Sequence, residues 1–262
     1  MELITRSITA KSRCHENNED SFICKDKYIV VADGMGGEAC GDVASKVAIS
    51  TISSFLDSSL DETCSVDGIR ELTFSAISKA DKEIIEYVTS HPEADGMGTT
   101  VLVLIHINQN LYVAWCGDSR CYYYDSSKRL SQLTTDHSYV QQLIDEGRIS
   151  ADEAFSHPDN NLVTRYVGGG EETCKPEFVS SKLDLDGCVI LCSDGLSGYC
   201  KNDEIEQELR LCPHDNIPKR LLELAIQKGS DDDITIVTLT PKVESPKCRT
   251  SILSWLKKLK QR

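Results

Sequence analysis

The chain has 262 residues, 40% of them hydrophobic, which is enough to bury one sizeable core as one large domain or two small ones. No run approaches the roughly 18 apolar residues of a membrane span, and Met1–Lys11 is mixed in polarity with no signal-type apolar stretch, so the expectation is a cytoplasmic protein. The net charge of −14 is uneven: positions 242–262 hold seven Lys/Arg and one Glu, a net of +6, leaving −20 on the rest, and so acidic a body argues against nucleic acid as a main partner.

In chain order, Ser21–Cys24 and Tyr28–Ala32 read as strands around the Asp26-Lys27 turn. The second strand runs into Asp33-Gly34-Met35-Gly36-Gly37. Two helices follow, over Asp42–Leu56 and Asp67–Ser90. In the second, Ile69, Leu72, Phe74, Ile77, Ala80, Ile84 and Tyr87 recur at about helical spacing. Thr99–Ile107 and Leu111–Cys116 flank the turn Asn108-Gln109-Asn110, a hairpin signal, and Cys121–Tyr124 and Arg129–Leu133 flank another polar turn. Ser138–Glu146 reads as a short helix ended by Gly147, followed by a polar stretch through His157-Pro158 to Gly168-Gly169-Gly170. A loop of that length is usually functional or mobile. Cys188–Cys192 reads as a strand ending in Ser193-Asp194-Gly195, followed by helices over Asp203–Leu211 and Ile217–Lys228. The final strand is Ile234–Leu239, preceded by Asp231-Asp232-Asp233. Hairpin-like strand runs with paired helices between them predict a layered α+β fold with antiparallel sheets. The twelve cysteines form no C-x-x-C pair, and Cys116, Cys188 and Cys192 sit inside apolar runs, so they read as free thiols packed as small hydrophobes.

Aspartates at strand ends form the informative pattern. Val30-Val31-Ala32-Asp33-Gly34, Ala114-Trp115-Cys116-Gly117-Asp118 and Leu191-Cys192-Ser193-Asp194-Gly195 each carry an apolar strand into an acidic residue. Asp232 precedes a strand and Glu19-Asp20 opens one. Carboxylates brought to one sheet edge repel one another unless protonated or neutralised by cations. Magnesium and manganese suit an all-oxygen site. Asp-Gly is also a common turn dipeptide, so the pattern by itself leaves both readings open.

A chain-wide series of motifs bears on that choice: Asn17-Asn18-Glu19-Asp20-Ser21, Val31-Ala32-Asp33-Gly34-Met35-Gly36-Gly37, Gly98-Thr99-Thr100, Gly117-Asp118-Ser119-Arg120, Leu133-Thr134-Thr135-Asp136-His137-Ser138, Ser193-Asp194-Gly195-Leu196 and Asp232-Asp233-Ile234-Thr235. Together they resemble the PPM-type metal-dependent protein phosphatase family, the type 2C protein Ser/Thr phosphatases, across about residues 4–240. The resemblance implies a four-layer α-β-β-α sandwich of two antiparallel sheets flanked by helix pairs over 1–241. It implies two Mg2+ or Mn2+ ions in a cleft at one edge, and a weaker third. Asp33 would bridge the ions, Asp194 and Asp232 would complete one site, and Glu19 with the Gly34 carbonyl would hold the other. Asp20 would orient a water, and Asp118 with Asp194 would serve the third ion. A water bridging the ions would attack phosphorus in phosphoserine or phosphothreonine, with no covalent enzyme intermediate. The implied partners are phosphoproteins, substrates of a Ser/Thr kinase, and the expected state is a monomer.

Three positions depart from the family pattern. His15 stands where the family usually has a phosphate-clamping Arg, and imidazole cannot make a guanidinium's forked contact, so either His15 contacts phosphate and substrate binding is weaker, or Lys11 or Arg13 substitutes. Glu38 stands where many members carry a His proposed to protonate the leaving oxygen; either Glu38 is the general acid or water supplies the proton. Asp233 replaces the usual Asn, a change expected to be minor. His137 and His157 read as structural, bonded to backbone. If the two losses at the clamp and acid abolish turnover, the alternative is a pseudophosphatase acting as a binding module. Asp145–Gly170 resembles the family's flap beside the cleft. The basic tail, 242–262, places Ile252, Trp255, Leu256 and Leu259 on one helical face and Lys257, Lys258 and Lys260 opposite. That suits weak contact with a membrane surface or a partner through 251–262, or else docking on the acidic body or a frayed end.

Overall fold

Alternation along the strands decides the layering. In the computed structural model, which describes residues 2–36 and 40–242, β3 (Tyr28–Met35) sends Ile29 and Val31 to one face and Tyr28, Val30 and Ala32 to the other. In β10 (Cys188–Cys192), Val189 and Leu191 take one face, and Cys188, Ile190 and Cys192 the opposite one. Successive side chains on a strand point to opposite faces, so a strand packed on both sides becomes one continuous apolar run.

These strands build two antiparallel sheets. The first has the order β1 (Leu3–Ala10), β11 (Ile234–Pro241), β10, β7 (Arg120–Tyr124) and β8 (Leu130–Gln132). The second has β2 (Asp20–Cys24), β3, β5 (Val101–Ile107), β6 (Asn110–Cys116) and β9 (Glu177–Lys182), with the two-residue β4 (Gly98–Thr99) paired to β3. Ile29, Val31, Leu102, Leu104, Leu191 and Val237 fill the space between the sheets. The outer face of the second sheet is covered by α1 (Gly41–Ser59) and α2 (Val66–Ser90), which contribute Ala44, Ile52, Ile77 and Ile84. Between β8 and β9 lie α3 (Tyr139–Asp145) and α4 (Ala151–Phe155), and the four-residue α5 (Asp194–Ser197) follows β10. The outer face of the first sheet is covered by α6 (Asn202–Leu211) and α7 (Ile217–Gln227), through Ile205, Leu209, Leu221 and Ala225. The architecture is therefore the expected α-β-β-α sandwich.

The observed elements depart from the expected ones in identifiable ways. β1 and β9 were not expected as strands. Both are edge strands with half-exposed side chains, so neither shows an apolar run. β3 continues past Ala32 because Gly34 and Met35 pair with Thr99 and Gly98. Gly147, at φ +68°, ends α3 as expected. The polar stretch after it is not featureless: α4 starts with a capping box between Ser150 and Glu153. Bridges Thr99–Val167 and Ser138–Val163 pin the stretch to the body. The described cysteines are all free, and Cys116, Cys188 and Cys192 are buried. No helix among the described residues is long and apolar enough to cross a membrane. Glu38 and the apolar face of the tail lie outside the described residues.

Candidate active site

Five strand ends bring carboxylates to one end of the sandwich. Asp20 opens β2 directly opposite Asp33 on β3. Asp194 is the first residue of α5, just beyond β10, and Asp232 stands two residues before β11. Asp118 follows β6 through Gly117, whose φ of +128° is a conformation a side chain would strain. Asp118, Asp194, Asp232 and His15 line one cleft of about 390 Å³.

Neutral side chains hold these carboxylates in place. The Asp33 N–H donates to Thr100 Oγ1 at 3.1 Å, and Thr99 Oγ1 donates to the Asp33 carbonyl at 2.9 Å. Thr100 Oγ1 also shares a hydrogen bond with Ser119 at 2.8 Å. These contacts give the Gly98-Thr99-Thr100 motif a position that sequence alone left without a role. Ser193 Oγ donates to Asp20 Oδ2 at 2.7 Å. Glu19 lies against the start of α1, so that a Cβ on Gly41 would fall 2.4 Å from its Oε2. A Cβ on Gly34 would fall 2.0 Å from the Gly41 carbonyl oxygen, so this crossing of β3 and α1 admits only glycine.

Among the described residues, Arg120 and His15 offset the carboxylate charge only in part. Burial, then Asp20, Asp194, Asp232 and Asp118, raise the Asp33 carboxyl well above its ordinary range. Burial and then Asp232 push Asp194 up to about 7, and burial pushes Asp20 up to about 7. Asp118, Asp232 and Glu19 are raised too, each chiefly by burial. Arg120 borders the cleft, but Asp136 engages its guanidinium, with Nε 3.0 Å from both carboxylate oxygens and Nη2 2.6 Å from Oδ2. Two buried oxygens, Asp20 Oδ1 and Asp194 Oδ1, have no hydrogen-bond partner among the described residues. Buried polar atoms are nearly always satisfied, and unpartnered carboxylate oxygens among other carboxylates fit a hard divalent cation.

The loop between Lys11 and Glu19 crosses from the first sheet to the second. Lys11 does not face the cleft as a substitute clamp: its Nζ donates to the carbonyls of His15 at 2.8 Å and Glu16 at 3.2 Å. Arg13 is exposed. His15 borders the cleft, and its Nδ1 lies 3.0 Å from Asp233 Oδ2, a bond that raises its pKa above the ordinary value. Asp233 is no minor replacement. It is 2% exposed, and its carboxylate also accepts the N–H groups of Ser12 at 2.6 Å and Glu19 at 2.7 Å. His137 Nδ1 accepts the Gly117 N–H at 3.1 Å, and His157 Nδ1 accepts that of Asp159 at 3.1 Å, so both serve the backbone.

The family model for protein phosphatase 2C matches residues 6–234. The chain belongs to the protein phosphatase 2C family. It is 35% identical over 221 residues to the serine/threonine protein phosphatase PstP of Mycobacterium tuberculosis, covering 84% of this chain and 41% of that one. The chain therefore spans less than half the length of that relative. The serine/threonine phosphatase stp of Listeria monocytogenes is 34% identical over 244 residues, covering 87% of this chain and 92% of the relative. Among solved structures, the M. tuberculosis phosphatase PstP/Ppp superposes with a TM-score of 0.84 at 32% identity, covering 92% of this chain and 99% of that one. The catalytic domain of PstP in complex with two manganese ions gives 0.78 at 30% identity, covering 91% and 97%. These family structures share the layered fold described above.

Proposed function

We propose that the chain hydrolyses phosphoserine and phosphothreonine in proteins, using two Mg2+ or Mn2+ ions held at the acidic edge. The observation that carries this reading is the pair of buried, unpartnered oxygens on Asp20 and Asp194 among mutually raised carboxylates. Asp33, surrounded by four other carboxylates, would be shared by the ions, as the family resemblance implies. Asp194 and Asp232 complete one site, Glu19 and the Gly34 carbonyl hold the other, and Asp118 with Asp194 offers a weaker third. When bound, the ions supply an activated water and offset charge on the phosphate. Asp20, fixed by the Ser193 hydroxyl, would be the side chain that orients a water at this edge. His15 borders the cleft and is the candidate contact for a phosphate oxygen. Glu38 is the side-chain candidate for protonating the leaving oxygen, tested by Glu38→Gln. The substrates are phosphoproteins made by a Ser/Thr kinase, met in the cytoplasm by a monomer.

The deciding experiment is manganese-dependent release of phosphate from a phosphothreonine peptide, compared between wild type and Asp194→Ala. Turnover that needs manganese and disappears in the variant is the expected result. Tight manganese binding by intact wild-type protein with no turnover would overturn it and mark a phosphoprotein-binding module instead.

A further inference from the structure

The Asp233 carboxylate reaches across the junction of the two sheets. It stands at the start of β11, in the first sheet, and its partners lie on the loop leading into β2, in the second. One oxygen accepts the Ser12 N–H; the other accepts the Glu19 N–H and faces His15 Nδ1. The chain of bonds continues, because the Glu19 carbonyl accepts the Gly34 N–H at 3.2 Å. On its other side, the Asp233 N–H donates to Asp232 Oδ1 at 2.7 Å. Through its carboxylate Asp233 thus holds Glu19 and the His15 ring, through its backbone N–H it holds Asp232, and Glu19 in turn holds Gly34; Asp232, Glu19 and Gly34 are the positions assigned to the ions.

We propose that Asp233 is a positioning residue that aligns the Glu19 loop with the metal-bearing edge and, through Nδ1, fixes the His15 ring at the border of the cleft. Beside His15 an amide does not make the same set of contacts, even though Asn is the family's usual residue here. Asparagine has one acceptor oxygen, so its NH2 would face either the Ser12 N–H or the Glu19 N–H, and one buried donor would lose its acceptor. The ring's tautomer follows the same geometry: a carboxylate at Nδ1 requires the proton there, and loss of the carboxylate releases it. The His15 part rests on the phosphatase reading above; the tautomer and the alignment of Glu19 do not.

The test uses the full chain. In nitrogen-15 imidazole spectra of the metal-free and magnesium-loaded protein at pH 8, His15 is expected to carry its proton on Nδ1; a proton on Nε2 alone overturns the proposal, with no variant needed. Asp233→Asn is expected to lose that signature and to weaken manganese binding, measured by calorimetry, at least about tenfold. His15→Ala is expected to keep manganese affinity within about twofold while raising the phosphopeptide KM at saturating manganese at least about fivefold, with kcat changed less. Adding His15→Ala to Asp233→Asn should raise KM little further. Unchanged tautomer and affinity in a folded Asp233→Asn protein, or effects of the two variants on KM that multiply, would overturn the alignment. If Asp233→Asn does not fold, the wild-type spectrum and the KM–kcat split of His15→Ala decide. Tautomer and calorimetry need no turnover, so they separate failure of this inference from failure of the phosphatase reading.

Discussion

The space between the sheets and the edge of the same sheets are built by the same strands and have opposite energetics. Between the sheets, Ile29, Val31, Leu102, Leu191 and Val237 are each fully buried, so this region is stabilised by the exclusion of water. A few residues further along, β3 and β10 lead to Asp33 and Asp194, whose burial works against their charge. The interior is at its most stable as the chain alone. The edge reaches its low-energy state only when something positive is added. A strand can therefore be apolar for folding and acidic for function, provided the acidic residue falls where the sheet stops.

Asp194→Ala separates the two regions most strongly. Hydrolysis of a phosphothreonine peptide is expected to fall about a thousandfold, equivalent to about 4 kcal/mol of transition-state stabilisation. The metal-free protein should melt no lower than wild type, because one repelling carboxylate is gone. Activity within tenfold of wild type, or a lower metal-free melting temperature, would break the contrast between edge and interior.

How much of this was legible in the sequence follows from the same contrast. β3 and β10 stood out because both faces are buried, which turns alternation into a continuous apolar run closed by Asp33 or by Ser193-Asp194. β1 did not stand out, because it hydrogen-bonds to one neighbour and half exposes its side chains. Of the aspartates that motif order singled out, Asp118, Asp194 and Asp232 line one cleft. Motif order could not give the weight of Asp233, whose bond to Ser12 spans 221 positions and depends on two sheets meeting. Nor could it show that Lys11 is engaged by carbonyls of its own loop, since a lysine near a motif carries no mark of its partner.

The interior gives the converse variant. Leu191→Ala removes a fully buried side chain between the sheets and is expected to destabilise the protein by about 2–5 kcal/mol, read from denaturant unfolding. Per folded molecule, kcat and KM should hold. A large change in kcat would mean that packing beneath β10 sets the position of Asp194.

The pH dependence of the metal-free protein gives a smaller effect. Asp20 and Asp194 titrate near 7 in the folded chain, against roughly 3.9 when unfolded. The folded state therefore keeps protons that the unfolded chain releases. Their stabilising contribution is complete below about pH 4 and is lost as pH rises towards 7, by on the order of 1 kcal/mol per pH unit. Saturating magnesium should flatten that slope, because the carboxylates are then ionised in both states. An equally steep decline with magnesium present would place its origin away from this edge.

The smallest effect is expected at the stretch beside the cleft. Lys201, just before α6, donates to Asp152 at 2.6 Å and lies 5.6 Å from the centre of the Phe155 ring, tying down both ends of α4. The contact is exposed, and exposed ion pairs are weak and screened by salt. Lys201→Met should therefore change the phosphopeptide KM by no more than about threefold and leave manganese affinity alone. Measuring both constants makes this informative whichever way KM moves. A shift in KM alone means that α4 touches the substrate but not the ions. A fall in manganese affinity would mean that the stretch and the acidic edge are one energetic unit, and that the line between them was drawn in the wrong place.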